Sequence, residues 1–432
     1  MQRVAITTLG CKINQFESAA ISESLDKEGF RIVPFGEEAD VYVINTCTVT
    51  AKTDAESRRL IRRALRANPG ARVVVTGCYA QVAPGELKEL PGVSLVVGNS
   101  EKKGLAEILK GGVPAEKVLV SDISRERSTE ALQLESFAEH TRAFLQVQNG
   151  CDAFCSYCIV PYARGRSRSV PFPQALEGIR TFAAKGFREV VLTGIHLGGY
   201  GLDLDPPATL LTLLEAAEAE RCVQRLRVGS VEPQEVTDEL IAFLARAESV
   251  CPHLHIPLQS GDDRVLERMA RRYTAEYFRQ TVEKLVAALP DIFIGCDVIV
   301  GFPGESDDEF RTTVRLLEEL PVTALHVFPY SRRDGTPAAR MADQVDPRTI
   351  RARGEILRAL SERKKREFFG RFVGRELPVL VQYRGRNGLL VGLSRNYIPV
   401  TFAGDEACGN TEITVRITDA SAEGCQGIII PG

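Results

Sequence analysis

From residue 3 to about residue 110, short apolar runs take turns with stretches of helical period. RVAITTL, DVYVIN, RVVVTG and VSLVV read as buried strands. The segments from about Asn14 to Lys27 and from about Ala51 to Ala67, with those near Glu86 and Leu105, read as helices. Such alternation predicts an α/β unit, an open parallel sheet with helices on its faces, over residues 1–120. Residues 121–140, with charge-mixed sequence such as SDISRERSTE, keep no apolar period and are expected to form a linker. A second alternation runs through AFLQVQ, EVVLTG, RLRVGS, HLHIPL, FIGCDVIVG and ALHVFPY, and predicts a parallel barrel or partial (β/α) barrel over residues 141–369. The helix that leaves it is strongly basic between Arg348 and Arg375, opposed only by Glu355, Glu362 and Glu367. From residue 370 to 432, short runs such as LPVLVQY, with turn signals at Asn387-Gly388 and Gly404-Asp405, predict a small all-β barrel.

Composition narrows the function. The 432 residues are 44% hydrophobic and 26% charged, ordinary for a globular chain with several cores. Lys plus Arg number 54 against 57 for Asp plus Glu, a net charge of -3, so nucleic acid must be met by local patches. No run approaches the roughly 20 apolar residues of a membrane span. MQRVAITTLG opens without a signal-peptide pattern, so a cytoplasmic protein with no membrane partner is expected. The 11 cysteines, an odd number without a secretion signal, favour thiolate chemistry over a disulfide framework.

The thiols fall into two constellations. CDAFCSYC places Cys151, Cys155 and Cys158 in one short loop after a predicted strand, close enough to converge on one metal centre. Zinc is the main rival, but a closed structural zinc site wants four ligands and no fourth Cys or His has local spacing, so no zinc is expected. A four-iron four-sulfur cluster on three cysteines leaves one iron open to a small molecule. The second group shows in the topology: Cys11, Cys47 and Cys78 each follow the carboxyl end of a different predicted parallel strand. If those strands are neighbours, about 4.8 Å apart, the three thiols meet at one rim, where open α/β sheets bind ligands and helix N-termini favour anions. Cys222, Cys251, Cys296, Cys408 and Cys425 share no such placement and read as packing residues, Cys296 in the core.

CDAFCSYC, with Tyr157 before its last cysteine, resembles the cluster loop of radical S-adenosylmethionine enzymes. Together with Cys11, Cys47, Cys78 and a terminal β domain resembling TRAM, the whole chain is similar to the methylthiotransferases. TLGCKINQFES, NTCTVTAKTDAESRRLIRR, TGCYAQ, CSYCIVPYARGRSRS, LTGIHLG and HVFPYSRRDGTPA most resemble the MtaB-type branch. The resemblance implies methylthiolation of C2 of N6-threonylcarbamoyladenosine, at the adenosine immediately 3′ of the anticodon (position 37) of tRNA. It also implies two 4Fe–4S clusters, one on Cys151, Cys155 and Cys158 and an auxiliary one on Cys11, Cys47 and Cys78 that carries the sulfur. S-adenosylmethionine would serve as methyl donor and as source of the 5′-deoxyadenosyl radical, with an unidentified cellular electron donor. An unactivated aromatic C–H is beyond ordinary acid–base side chains, so cofactors must carry the step. Sibling branches act on isopentenyladenosine in tRNA or on an aspartate of a ribosomal protein. Outside the family, a radical methyltransferase or a non-catalytic iron–sulfur RNA-binding protein are the alternatives.

Strand-end positions Thr193, Gly194, Glu232, Gln259 and Gly301, with Tyr157, are expected at the cofactor, although glycines there also serve tight turns. His253 and His255 alternate on one strand, and with no third His or carboxylate in a recognisable spacing they read as core or supporting groups. In SRRLIRRALRA a helical step of about 100° puts Arg58, Arg59, Arg62, Arg63 and Arg66 on one half and Leu60, Ile61, Ala64 and Leu65 on the other. With Arg164, Arg166 and Arg168 beside the cluster loop, and Arg363, Lys364, Lys365 and Arg366 on the basic helix, they make the expected phosphate-tracking surface. Tyr383, Tyr397 and Phe402 are candidate base-stacking platforms, although such aromatics first serve a barrel core. A basic contact to the carboxylate of the threonylcarbamoyl group is expected near the rim, with Arg332 and Arg333 as candidates.

Overall fold

A computed structural model describes residues 1–112, 115–129 and 141–430. The first unit runs β1 (Arg3–Thr8), α1 (Lys12–Lys27), β2 (Arg31–Val33), β3 (Val41–Thr46), α2 (Ala51–Ala67), β4 (Arg72–Gly77), α3 (Cys78–Val82), α4 (Pro84–Lys88), β5 (Val93–Val97), α5 (Leu105–Lys110) and β6 (Val118–Leu119). Its six strands form one sheet in the order β2-β1-β3-β4-β5-β6, and every pairing is parallel. The continuous apolar runs arise because β3 and β4 are covered on both faces. In α2 the capping box of Thr50 and Thr53 fixes the start, Leu60, Ile61 and Ala64 turn inward, and Arg62, Arg63 and Arg66 turn out. The edge strands β2 and β6 were not foreseen, because three- and two-residue strands carry no readable period.

Residues 121–129 are not a slack connection. A 3-10 turn at Ile123–Arg125 buries Ile123, whose carbonyl lies against Gly165 so closely that a Cβ there would collide with it. The rest of the expected linker, 130–140, falls outside the described residues.

The central unit runs β7 (Arg142–Gln146), β8 (Gln148–Asn149), α6 (Val160–Arg164), β9 (Arg168–Ser169), α7 (Phe172–Ala184), β10 (Glu189–Thr193), α8 (Leu210–Ala219), β11 (Arg225–Val228) and α9 (Asp238–Arg246). It continues with β12 (His253–His255), α10 (Asp263–Arg268), α11 (Ala275–Ala288), β13 (Phe293–Val300), α12 (Asp307–Glu319), β14 (Ala324–Pro329) and α13 (Pro347–Gly370). Strands β7, β10 and β11 pair in parallel, as do β12, β13 and β14, and single bridges from Leu226 to Val250 and from Ser230 to His255 join the two groups. The six strands therefore follow one another in chain order as an open partial barrel. Val190, Leu226, Leu254, Ile294, Cys296 and Val298 pack with helix residues such as Ile179, Leu213, Phe278 and Leu317 in the principal core.

The last unit closes into a five-stranded barrel, β15 (Glu376–Arg384), β16 (Leu390–Ser394), β17 (Pro399–Phe402), β18 (Glu412–Ala420) and β19 (Cys425–Ile429), in the order β15-β16-β17-β19-β18. It docks beneath the starts of the central strands. Arg225 donates to Glu412 at 2.8 Å and to Leu393 O at 3.0 Å, and Phe293 shares a core with Phe368, Phe372 and Val379. Among the described residues no helix is long and apolar enough to cross a membrane.

Candidate functional site

Strands β1, β3 and β4 are consecutive neighbours, with Thr8 opposite Asn45 and Thr46 opposite Gly77, so the cysteines that follow them meet at one rim. Cys11 caps α1, Cys47 follows β3, and Cys78 opens α3. Gly10, at φ +101°, must be glycine because a Cβ would lie 2.7 Å from the Cβ of Cys47. Asn14 Nδ2 donates to Leu9 O at 2.6 Å and to Thr46 O at 3.0 Å, stapling the Cys11 loop to the Cys47 loop.

The second triad sits on the loop between β8 and α6. Gly150, at φ +73°, starts the turn, and a Cβ on it would collide with Arg166 O. Cys151 N donates to Gly165 O at 3.1 Å and Cys158 N to Cys155 O at 2.9 Å. Ser156 Oγ donates to Arg268 O at 2.7 Å, and Phe154 at the tip is exposed. Because α6 packs on α3, which opens with Cys78, the two triads lie on either side of one helix–helix contact.

Each triad has a buried arginine on one sulfur. Arg164 Nε donates to Cys78 Sγ at 3.2 Å, and Arg271 Nη1 to Cys155 Sγ at 3.3 Å. Arg164 is wholly buried and also binds Asn14 and Glu17, and Glu17 takes Lys102 Nζ at 2.5 Å. Burial works against Glu17, yet Arg164 and Lys102 hold its carboxyl down at about 2, while burial and Arg164 press Lys102 down to about 8. Arg271 pairs with Glu232 and donates to the Tyr273 hydroxyl at 3.0 Å. Burial pushes the Cys47 thiol up to about 11 and Cys158 to about 12, and it raises Cys11 against the pull of Arg164. Loading metal therefore releases protons from thiols that burial keeps protonated.

The donor sets suit sulfide-bridged iron clusters. Each triad offers three free thiols, one short of the four ligands that a closed structural zinc site takes. A guanidinium aimed at a thiolate in each triad compensates an anionic cluster.

Several expected contacts are corrected. Arg164 belongs to the Cys78 rim and Arg168 is buried, donating to Arg164 O at 3.0 Å and Arg166 O at 2.8 Å, so neither faces RNA. Lys364 is buried and caps helix carbonyls, donating to Leu320 O at 2.7 Å. Arg58 is half-buried on the Tyr79 hydroxyl and Glu86, and Arg59 pairs with Glu56. Arg59, despite that pair, and Arg62, Arg63, Arg66 and Arg166 remain exposed, and Lys365 is half-exposed. Phe402 is core and Tyr397 stacks on His253 at 4.2 Å, leaving Tyr383 as the exposed ring of the three.

At the rim, Thr193 spends its hydroxyl on Leu145 O at 3.1 Å. Gly194 packs on Gln148, and Gly301 donates its N–H to Glu305 while lying against Ile350. These three are explained by packing and turns. Gln259 holds φ +66° beside Asp297, and Tyr157 packs with Val265, Met269 and Phe302 near the cysteines. Arg333 is committed to Asp54 and, at 3.2 Å, to Thr48.

Some groups at the site escaped sequence reasoning. His196, from LTGIHLG at the end of β10, hydrogen-bonds Cys151 and lies 2.5 Å from Glu235, which together push its pKa up to about 10. His255 does have partners: Asp297 at 2.8 Å and, through it, His326 at 3.6 Å, because Asp297 and His326 share a register on adjacent strands. Neither relation has a local sequence spacing.

Residues 3–98 match the family described as Uncharacterized protein family UPF0004, and residues 145–317 match the Radical SAM superfamily. The chain is 41% identical over 97% of its length, and 94% of the relative's, to the threonylcarbamoyladenosine tRNA methylthiotransferase MtaB of Bacillus subtilis. It is 35% identical over 99% of both chains to a tRNA-2-methylthio-N(6)-dimethylallyladenosine synthase of Ruegeria. Among solved structures, the radical S-adenosylmethionine methyltransferase TsrM of Kitasatospora setae shares the fold with a TM-score of 0.56 at 19% identity, over 78% of this chain and 77% of that one.

Proposed function

The chain belongs to the MtaB family of radical S-adenosylmethionine methylthiotransferases, and from that premise we propose that it methylthiolates C2 of N6-threonylcarbamoyladenosine at position 37 of tRNA. The observation that carries the reading is the facing of two cysteine triads across the α3–α6 contact, each with an arginine on one sulfur. One centre alone would serve radical chemistry; a second within reach of the same substrate answers the need for a sulfur to insert.

Cys151, Cys155 and Cys158 would hold the radical-generating 4Fe–4S cluster, and Cys11, Cys47 and Cys78 the auxiliary one. With S-adenosylmethionine bound, these groups supply the hydrogen-abstracting radical and the methylated sulfur that replaces the C2 hydrogen. The chain's own work is positional. Arg164 and Arg271 offset thiolate charge, Asn14 and Gly10 fix the spacing of the Cys11 and Cys47 loops, and the α3–α6 contact sets how the two centres face each other. A cellular reductant is required, and the cytoplasm, where tRNA is modified, is the setting.

The test is mass spectrometry of tRNA nucleosides from cells lacking the gene, complemented with wild type, Cys151→Ala or Cys11→Ala. Loss of 2-methylthio-N6-threonylcarbamoyladenosine, restored by wild type alone, is the expected result. Unchanged nucleosides would defeat the tRNA assignment and direct attention to a ribosomal-protein substrate.

A further inference from the structure

The inner face of the open barrel carries a cluster that neither cysteine triad uses. In HLHIPL, FIGCDVIVG and ALHVFPY, the residues Leu254, Ile256, Cys296, Val298 and Leu325 pack against the helices. The alternating positions His255, Asp297 and His326 therefore project from the opposite, inner face. Strands β12, β13 and β14 are parallel neighbours, with Asp297 opposite His326 and His255 opposite Gly295, two residues before Asp297 on the same face. That diagonal brings side chains from three strands to one place. His255 Nε2 lies 2.8 Å and His326 Nδ1 3.6 Å from a single atom, Asp297 Oδ1, and one ligand atom from each residue lies within 4.8 Å of the other two. Gly295 leaves room for this arrangement, since a Cβ there would stand 3.0 Å from His255 Nδ1. His253, on the same strand face, is taken up by Tyr397 at 4.2 Å and stays outside the cluster.

The three groups have the chemistry of a ligand set. One imidazolium satisfies a carboxylate. A second imidazole turned toward the same oxygen adds little to that pair, but it supplies a lone pair to a cation held between them. Burial works against the Asp297 carboxyl, yet the two histidines hold it below the usual carboxylate range, so the anionic donor is present at neutral pH. With bonds of about 2.0 Å, the nitrogen and oxygen ligands of one tetrahedral zinc stand about 3.3 Å apart. The separations of 2.8 and 3.6 Å bracket that spacing. His255 and Asp297 are half-buried and His326 is exposed, so an ion there would keep a position open to the barrel interior.

We propose that His255, Asp297 and His326 bind one divalent cation of the zinc class, through two imidazole nitrogens and one carboxylate oxygen, with a fourth position open to water or an anion. Two neutral imidazoles and one carboxylate leave such an ion one net positive charge, which favours that kind of fourth ligand. Each imidazole offers the nitrogen nearest Asp297 as a lone pair and carries its proton on the other ring nitrogen. The absence of zinc expected from the cysteine loop does not reach this site, whose ligands come from three strands. None of the three residues belongs to either cysteine triad, so the site stands or falls independently of the tRNA reading.

The experiment equilibrates the cluster-loaded enzyme with zinc buffered at about 1 μM free ion, which fills a site of submicromolar affinity. Zinc and iron are counted in the same sample by mass spectrometry, and the zinc K-edge absorption spectrum reports the ligands. Wild type should hold one zinc per chain without losing iron, in a nitrogen and oxygen shell at about 2.0–2.2 Å with no sulfur at about 2.3 Å. His326→Ala and Asp297→Asn should each weaken zinc binding at least about a hundredfold, beyond what loss of an outer-shell partner costs. Because His326 is exposed, His326→Ala should keep its iron and its unfolding midpoint. Sulfur in the zinc shell would place the ion on the cysteines and overturn the proposal. So would a nitrogen and oxygen shell that survives both substitutions, or a wild type that takes up no zinc.

Discussion

Arg164 Nε donates to Cys78 Sγ at 3.2 Å across 86 positions of sequence, joining the loop of one cysteine triad to the rim of the other. The same guanidinium neutralises Glu17, so one side chain fixes both the charge and the seating of the first two units.

Replacing Arg164 by Met should therefore cost about 3–5 kcal/mol, because Glu17 is left in the interior with Lys102 as its remaining cation. The N-terminal centre should also load poorly. Iron analysis and unfolding of the purified variant check both, and full iron content at unchanged stability would contradict the role given to Arg164.

The two triads should be separable by chemistry. Alanine at Cys11, Cys47 or Cys78 should abolish methylthio transfer while S-adenosylmethionine cleavage continues. Alanine at Cys151, Cys155 or Cys158 should abolish both. Quantifying 5′-deoxyadenosine alongside methylthio nucleoside distinguishes the cases.

Gly150→Ala should remove the radical centre without touching a ligand. Its φ of +73° and the collision of a Cβ with Arg166 O leave no unstrained place for a methyl group. A penalty of at least about 1–3 kcal/mol and loss of cleavage activity are expected, read by thermal unfolding and iron content.

Glu189 holds Arg225 and Arg227, which reach on to Glu412 and Arg395 O of the C-terminal barrel, and its arginines hold its carboxyl at about 2 against an ordinary 4.5, despite burial. A carboxyl depressed in the folded state stabilises above its unfolded pKa, and that stability is lost as pH falls from 4.5 toward 2. The difference in unfolding midpoint between wild type and Glu189→Gln should thus be constant above about pH 5 and shrink below it. A difference that grows in acid would reverse the assignment.

For RNA, Arg62 and Arg66 are exposed and unpaired among the described residues. If each neutralises one phosphate, the double alanine variant should lower the slope of log affinity against log salt by about two. Its unfolding midpoint should stay the same.

The strand and helix runs were readable because their periods are local. The segment predicted from Ala51 to Ala67 is α2 itself, with its apolar stripe buried as expected. The convergence of Cys11, Cys47 and Cys78 was readable too, since cysteines at successive parallel strand ends share a rim once those strands are neighbours. What sequence could not supply was the fate of its charges. Arg164, Arg168 and Lys364 look like Arg166 or Arg66 in a string of letters, and only the packed chain shows the first three buried on a thiol, on carbonyls and at a helix end. The same holds for His255, whose partners stand on adjacent strands. Sequence determines which groups a chain owns and the period of its local structure; burial and pairing depend on contacts between distant segments, so the tertiary structure alone decided which cations hold the centres together and which remain for RNA.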